Sequence, residues 1–187
     1  MESVDDIQLD AEEKMTKAVE FLQQELSGLR TGKASPSLVE NIQIDYYGSS
    51  TRLRDISNIS TPEPRLIVIS PFDPSSLDAI EKGIQAANLG ITPMNDGRVV
   101  RVPIPELSEE RRKELIKVGK RMSEDQRVAV RNIRREANEH IKSLQKNKSI
   151  TEDERDQGLE EVQKLTDSYV KQIDDMIAAK EKDVMEV

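Results

Sequence analysis

One stretch, Leu107 to Lys148, constrains this chain more than any other, because it carries a single helical pattern from end to end. Leu115, Val118, Met122, Ala129, Ile133, Ala137, Ile141 and Leu144 recur at steps of three, four or seven, which predicts one apolar stripe. At about 100° per residue, Lys113, Lys117, Lys120, Arg127, Arg131, Arg134, Arg135 and Lys142 gather on the side expected to face away from it. One side of this helix needs a core, and the other concentrates positive charge. Residues 107–148 hold 13 Lys and Arg against seven Asp and Glu, a net of +6. Residues 1–106 and 149–187 are each net −7, so an acidic chain of net −8 has collected its positive charge on one helix.

A helix of this kind needs partners, and two further seams supply them. Residues 4–30 repeat Ala11, Met15, Ala18, Leu22, Leu26 and Leu29, with Ser3 and Asp6 as a capping pair and Gly32 as the expected terminator. After Asn147, Thr151 to Glu154 is a capping box opening a third helix, whose seam runs Leu159, Val162, Leu165, Tyr169, Ile173 and Met176. Ser108 is the expected N-cap of the middle helix. Three long helices with complementary seams predict a three-helix bundle.

Between the first two helices the composition changes. All eight prolines and most of the glycines lie between Thr31 and Glu106. Ile42, Ile44 and Tyr46 alternate with polar residues and lead into a turn at Tyr47-Gly48, a strand signature. Ser37 to Asn41 is expected as a short helix, Leu53, Ile56 and Ile59 as short extended pieces, and Leu66 to Ile69 as an apolar strand. Ser75 to Asn88 reads as a helix, and Asn95-Asp96-Gly97 as a hairpin turn before Val99, Val100 and Val102. The expected fold class is therefore α+β, with residues 1–31 plus 106–187 forming the bundle and residues 32–105 a small inserted α/β domain. Two crossings, Thr31-Gly32-Lys33 and Pro103-Ile104-Pro105, are the candidate hinge, glycine permitting bending and proline stiffening the return.

Little in the sequence supports catalysis. The chain has no Cys, and its one His, His140, has no second ligand nearby in sequence. Gly-rich phosphate motifs and the nucleophile-elbow pattern are absent, and carboxylate pairs such as Asp5-Asp6 and Asp174-Asp175 sit on acidic helix faces. No cofactor, metal site or catalytic residue is expected. The acidic start MESVDDIQLD lacks the features of a signal peptide, no transit peptide is expected, and no apolar run reaches the ~20 residues that span a bilayer. A cytoplasmic protein is expected, with no membrane partner.

Three explanations compete for the basic stripe. It is a solvated face laced with pairs such as Glu124–Arg127 and Arg135–Glu139, or a membrane- or calmodulin-type helix, or a surface for a polyphosphate partner. The second needs Trp or Phe anchors, which this helix lacks. Arg127, Arg131, Arg134 and Arg135 follow one another along one side and could span several phosphates. With few aromatics, recognition of phosphate and shape in folded RNA fits better than stacking on single strands. A helical adaptor that binds proteins through its acidic and basic faces is the alternative of a different class.

The segments LRTGKASPSLVENI (29–42), DYYGS (45–49), NLGITPMNDG (88–97), RVPIPELSEERRKEL (101–115) and VAVRNIRREAN (128–138) together resemble the ribosome recycling factor family. The likeness is collinear over essentially the whole chain and extends through EDERDQGLEEVQKLTD (152–167). Lys33 stands where the family often has Arg, and Asn88 where Asp is common. The resemblance implies a three-helix bundle with a β/α/β sandwich inserted between helices 1 and 2. It further implies a monomer that binds the post-termination ribosome between the subunits, with the bundle on large-subunit ribosomal RNA. With elongation factor G and its GTP hydrolysis, such a factor splits the ribosome for reuse; the GTPase belongs to the partner. The family's RNA-contacting arginines match Arg112, Arg131 and Arg134. Arg30, Arg127 and Arg135 are added from their position near the crossing or on the same face.

Overall fold

Helix α1 (Val4–Ser27) begins where the Asp6 N–H donates to Ser3 Oγ at 3.1 Å. It ends at Gly28, whose N–H closes on the carbonyls of Gln24 and Glu25. The terminator is thus Gly28 and not Gly32, which lies four residues on with a left-handed φ of +76°. In the computed structural model, residues 3–186 are described; Met1, Glu2 and Val187, the ends of the expected bundle, lie outside them. Two units emerge, one formed by the chain through Leu29 with Lys113–Glu186, the other by Arg30–Arg112.

The first unit adds α5 (Glu152–Met185) and, from Lys113 onward, α4 (Glu109–Lys146), a helix of 38 residues or roughly 57 Å. Ser108 caps α4 through a bond from Arg111 N–H to its Oγ. Thr151 and Glu154 form a reciprocal capping box on α5, Thr151 N–H reaching Glu154 Oε2 at 2.7 Å. All three helices feed both halves of the core. Met15, Leu22, Leu26, Val130, Ile173 and Ile177 make one cluster, and Ile7, Ala11, Ala137, Ile141 and Val162 the other. Each large apolar side chain fully buried there contributes about 1.5–3 kcal/mol.

The buried line of α4 departs from the expected stripe. Leu115, Gly119, Ser123, Val130, Ala137 and Ile141 are buried, while Val118, Met122, Ala129, Ile133 and Leu144 are not fully so. The seam is therefore turned towards two small residues that hydropathy does not mark. A Cβ on Gly119 would come to 3.0 Å from Ile177 Cδ1, so the small residue allows close helix approach. Ser123 Oγ donates to Gly119 O at 2.9 Å, which satisfies the hydroxyl without a partner on another helix. On α5 the deepest positions likewise include Gly158, Thr166 and Ile177, beside the expected Val162 and Ile173.

The second unit is built around α3 (Leu77–Ala86), preceded by a 3-10 turn at Pro74–Ser76. Strands β1 (Gln43–Tyr46) and β2 (Ser49–Arg52) form a hairpin, preceded by a 3-10 turn at Pro36–Leu38. Tyr47 and Gly48 both have positive φ, the backbone of the tight two-residue turn expected from the sequence. Leu53 and Ile56 are not extended; they lie in the one-turn helix α2 (Leu53–Ile56) and are buried. Strands β3 (Ser57–Glu63), β4 (Leu66–Pro71), β5 (Met94–Asn95) and β6 (Val100–Pro103) form an antiparallel sheet in the order β3-β4-β6-β5. Helix α3 packs against hairpin and sheet alike through Leu77, Ile80 and Ile84, in one core with Ile44, Ile67, Ile69, Val100 and Val102. The result is a long three-helix bundle with a β/α/β sandwich inserted between its first two helices.

Candidate nucleic-acid interface

Four of the six candidate arginines lie on α4 within the bundle unit, and the rotated seam changes what each can do. Arg127 and Arg134 stand three residues before and four after buried Val130, roughly 60° and 40° from the seam centre. They flank the core instead of opposing it, and both are engaged by α5. Arg127 donates through Nε to Asp174 Oδ1 at 2.7 Å, with Nη2 on the same oxygen at 2.7 Å. Its Nη1 donates to Glu124 Oε2 at 3.1 Å, and only 20% of the side chain is exposed. Arg134 Nη1 donates to Gln163 Oε1 at 3.2 Å.

Arg131 and Arg135 are turned further out, roughly 100° and 140° from the seam. Arg131 Nη1 reaches Glu124 Oε1 at 3.4 Å, near the limit of a hydrogen bond, and its side chain is 43% exposed. Arg135 is exposed and bonds to Asn132 Oδ1, one turn back, at 3.3 Å; the expected pair with Glu139 is not formed, and Glu139 lies 3.9 Å from Lys142. Lys120, on the same flank, sits 3.5 Å from Glu181 of α5. The positive side of α4 is thus graded. Near the seam the cations are tied to α5, and away from it they are loosely held.

Arg30 and Arg112 belong to the other unit, so the structure does not collect all six residues within one unit. Arg30 Nη1 donates to Leu89 O at 3.1 Å, and its Nη2 is buried without a hydrogen-bond partner. Arg112 Nε is buried and unpartnered in the same way. These N–H groups retain unused donor capacity. The expected hinge residues separate too. Gly32 needs its glycine for φ +76°. Pro103 pairs with Leu66 inside the sheet, and Ile104 is buried in the core with its N–H on Arg65 O at 2.8 Å. On the return side, the stretch outside the sheet and its core begins at Pro105. Of the expected hinge residues on the return, Pro103 is thus a paired strand end and Ile104 a core residue.

Two acidic residues at this surface escape a reading by sequence, which makes Glu124 part of a bland surface pair and leaves Asp174 solvated. Asp174 follows the buried Ile173 directly, which puts it on the flank that meets α4; that register is the available signal. His140 is exposed, and no cluster of metal-ligating side chains occurs among the described residues. No helix among them is long and apolar enough to cross a membrane.

A long three-helix bundle with one graded basic flank and a small inserted sandwich defines a two-unit, mostly helical protein. Residues 22–185 match the family model described as ribosome recycling factor. The ribosome-recycling factor of Symbiobacterium thermophilum is 51% identical over 178 residues, covering 95% of this chain and 96% of its own length. That of Bacillus licheniformis is 52% identical over 178 residues, with the same coverage. Among solved structures, a solution structure of ribosome recycling factor superposes with a TM-score of 0.83 at 44% identity, each chain covered in full. A second is the T. thermophilus ribosome recycling factor, described together with E. coli elongation factor G bound to the E. coli post-termination complex. It has a TM-score of 0.69 at 37% identity, over 98% of this chain and 100% of that one. The chain belongs to the ribosome recycling factor family.

Proposed function

We propose that this chain binds the post-termination ribosome between the subunits, with the outer basic side of α4 on large-subunit ribosomal RNA. With elongation factor G and its GTP hydrolysis it then splits the ribosome into subunits for a new round of translation. The observation that carries this reading is the grading of α4. Arg131 and Arg135 are held by single long hydrogen bonds, at 3.4 and 3.3 Å, on a helix fixed along its other side by a buried core. Loosely held guanidinium groups on a rigid support exchange a weak protein acceptor for phosphate at little cost in order. Arg127 and Arg134 then act chiefly as supports between α4 and α5. Arg112, by its match to the family, and Arg30, by its place near the crossing, are taken as further RNA contacts. The chain acts as a cytoplasmic monomer and performs no catalytic step, hydrolysis remaining with elongation factor G.

Splitting also needs the small unit to move while the bundle stays anchored, and the crossing at Thr31, Gly32 and Lys33, with the return from Pro105, is proposed as the hinge. Its two connections would allow rotation and resist independent tumbling. Ribosome pelleting across a salt series, alongside light-scattering assays of splitting, tests both parts. Arg131→Ala is expected to weaken binding and to reduce the slope of log K against log salt by about 0.7–0.9, the loss of one phosphate contact. Gly32→Ala, which puts a Cβ at φ +76°, is expected to bind normally and split more slowly. Salt-insensitive binding that Arg131→Ala leaves intact would instead favour a protein-binding adaptor.

A further inference from the structure

Glu124, Arg127, Arg131 and Asp174 form one network whose carboxylates match its cations. Glu124 accepts from both arginines, Oε2 from Arg127 at 3.1 Å and Oε1 from Arg131 at 3.4 Å. Asp174 takes Arg127 through two nitrogens at 2.7 Å. The four groups are unequal in exposure. Arg127 is 20% exposed, Arg131 43%, and Glu124 and Asp174 just over half. On a surface meant only to attract phosphate, a carboxylate within reach of a loosely held arginine opposes the task, since it repels each incoming phosphate and occupies the donor it would use. Neither is it needed to order Arg127, which Asp174 already holds.

We infer that Glu124 is an affinity-limiting positioning residue, a built-in competitor that holds Arg131 ready and keeps its grip on RNA reversible. This rests on the proposal that α4 meets ribosomal RNA through Arg131. The geometry suits an exchange. When a phosphate takes Arg131, Glu124 keeps its 3.1 Å bond to Arg127, so no carboxylate is left without a partner. When the phosphate leaves, Glu124 recaptures Arg131, which lies two turns along the same face. The Arg127–Asp174 bond anchors the device to α5, so that the exchange moves only the Arg131 side chain. A factor that must leave the particle it has acted on gains from a contact that is quick to release.

The test uses the full-length protein and purified ribosomes, with dissociation followed after dilution at several salt concentrations. Glu160→Gln is the charge-matched control, because Glu160 is an exposed α5 residue paired with Lys164 at 3.0 Å, one turn along its own helix. Glu124→Gln is expected to bind about five- to tenfold tighter than Glu160→Gln at low salt through slower dissociation, with the gain shrinking as salt screens the carboxylate. In an Arg131→Ala background the gain should fall to within about twofold of the control, since the competitor then has nothing to compete for. Glu124→Gln binding no tighter than Glu160→Gln, while Arg131→Ala still weakens binding, overturns the role of Glu124 and leaves the α4 interface standing. A gain that survives Arg131→Ala in full also overturns it, because Glu124 would then act as a bare charge. Arg131→Ala without effect on binding overturns both.

Discussion

Gly83 sits in the middle of α3, where glycine is costly, and the reason it is there can be measured. Replacing it by alanine gains about 0.8–1 kcal/mol of helix propensity, so on local grounds Gly83→Ala should stabilise the small unit. The packing says otherwise. A Cβ at Gly83 would lie 2.3 Å from Ile44 Cδ1, against the 3.5–4.0 Å at which carbon atoms are content, so something must move by about 1 Å or more. Ile44 is fully buried in the core that also holds Leu53, Ile80 and Ile84, and has little room to yield. Overpacking of this kind costs about 1–3 kcal/mol, so after the propensity gain the net expectation is a loss of up to about 2 kcal/mol.

Ile44→Val removes the offending atom. Alone it should cost about 0.5–1.5 kcal/mol as a small cavity. With Cδ1 gone, the nearest neighbours of the new Cβ are Gln43 O at 3.5 Å and Ile44 Cγ1 at 3.6 Å, both ordinary contacts. The double mutant should therefore lie near the parent, with a coupling energy of about 1 kcal/mol or more in favour of the pair. Denaturation followed by amide hydrogen exchange in β1, β2 and α3 reports on this unit and not on the bundle. Gly83→Ala more stable than the parent, or a strictly additive double mutant, would refute the claim that hairpin–helix contact dictates this glycine.

Two further expectations concern the bundle. Lys180 falls between Ile177 and Val184 in the α5 seam register, is half-buried, and has its pKa lowered from the ordinary 10.5 by desolvation, against a smaller opposing effect of Asp183. Lys180→Met should raise stability at neutral pH by about 0.5 kcal/mol through added apolar burial, read from urea melts. Because the folded pKa lies below the unfolded one, the parent gains stability as pH rises through the folded value, so the advantage of methionine should narrow in alkali. Glu154 has its pKa lowered from 4.5, chiefly by the Thr151 N–H and then by the Thr151 hydroxyl. Its contribution to the α5 cap is thus complete above the ordinary carboxylate range and lost as pH falls through the lowered folded value. A carboxyl resonance of Glu154 that titrates at or above 4.5 would contradict this, and Glu154→Gln should abolish that part of the acid dependence.

The fold is legible in the sequence wherever the signal is local and chemical. The capping box at Thr151 and Glu154, the Ser3 and Ser108 caps and the Tyr47-Gly48 turn are each set by one or two side chains acting on adjacent backbone, and each forms as expected. The exact rotation of α4 is not legible in this way. Periodicity weights residues by hydropathy, whereas burial here follows size. Gly119 and Ser123 are buried because their smallness lets α4 approach its neighbours, not because water rejects them. The one-turn helix at Leu53–Ile56 escapes periodicity for a related reason, since apolar spacing of three suits a helical turn as well as broken strands. Pro103 and Ile104 read as a linker because proline at a strand end looks like punctuation, while Pro103 sits in β6 at a register position opposite Leu66.

That rotation also decides how much of the candidate site a sequence can reveal. Charge alone selects the arginines of α4 and treats them as equals, since formal charge carries no information about a neighbour on another helix. Turning the seam by part of a residue moves Arg127 and Arg134 from the back of the helix to its flanks, where Asp174 and Gln163 reach them. It leaves Arg131 and Arg135 further out, each on one long bond. Burial of Gly119 and Ser123 thus sorts a row of similar cations into two that brace the bundle and two that can readily exchange partners. A substitution that rotates α4, such as Gly119→Leu at a position where even a Cβ meets Ile177 at 3.0 Å, should disturb the basic surface without touching any charge on it. Weaker, less salt-sensitive ribosome pelleting by Gly119→Leu at normal helicity would bear this out, and parental binding at every salt concentration would refute it.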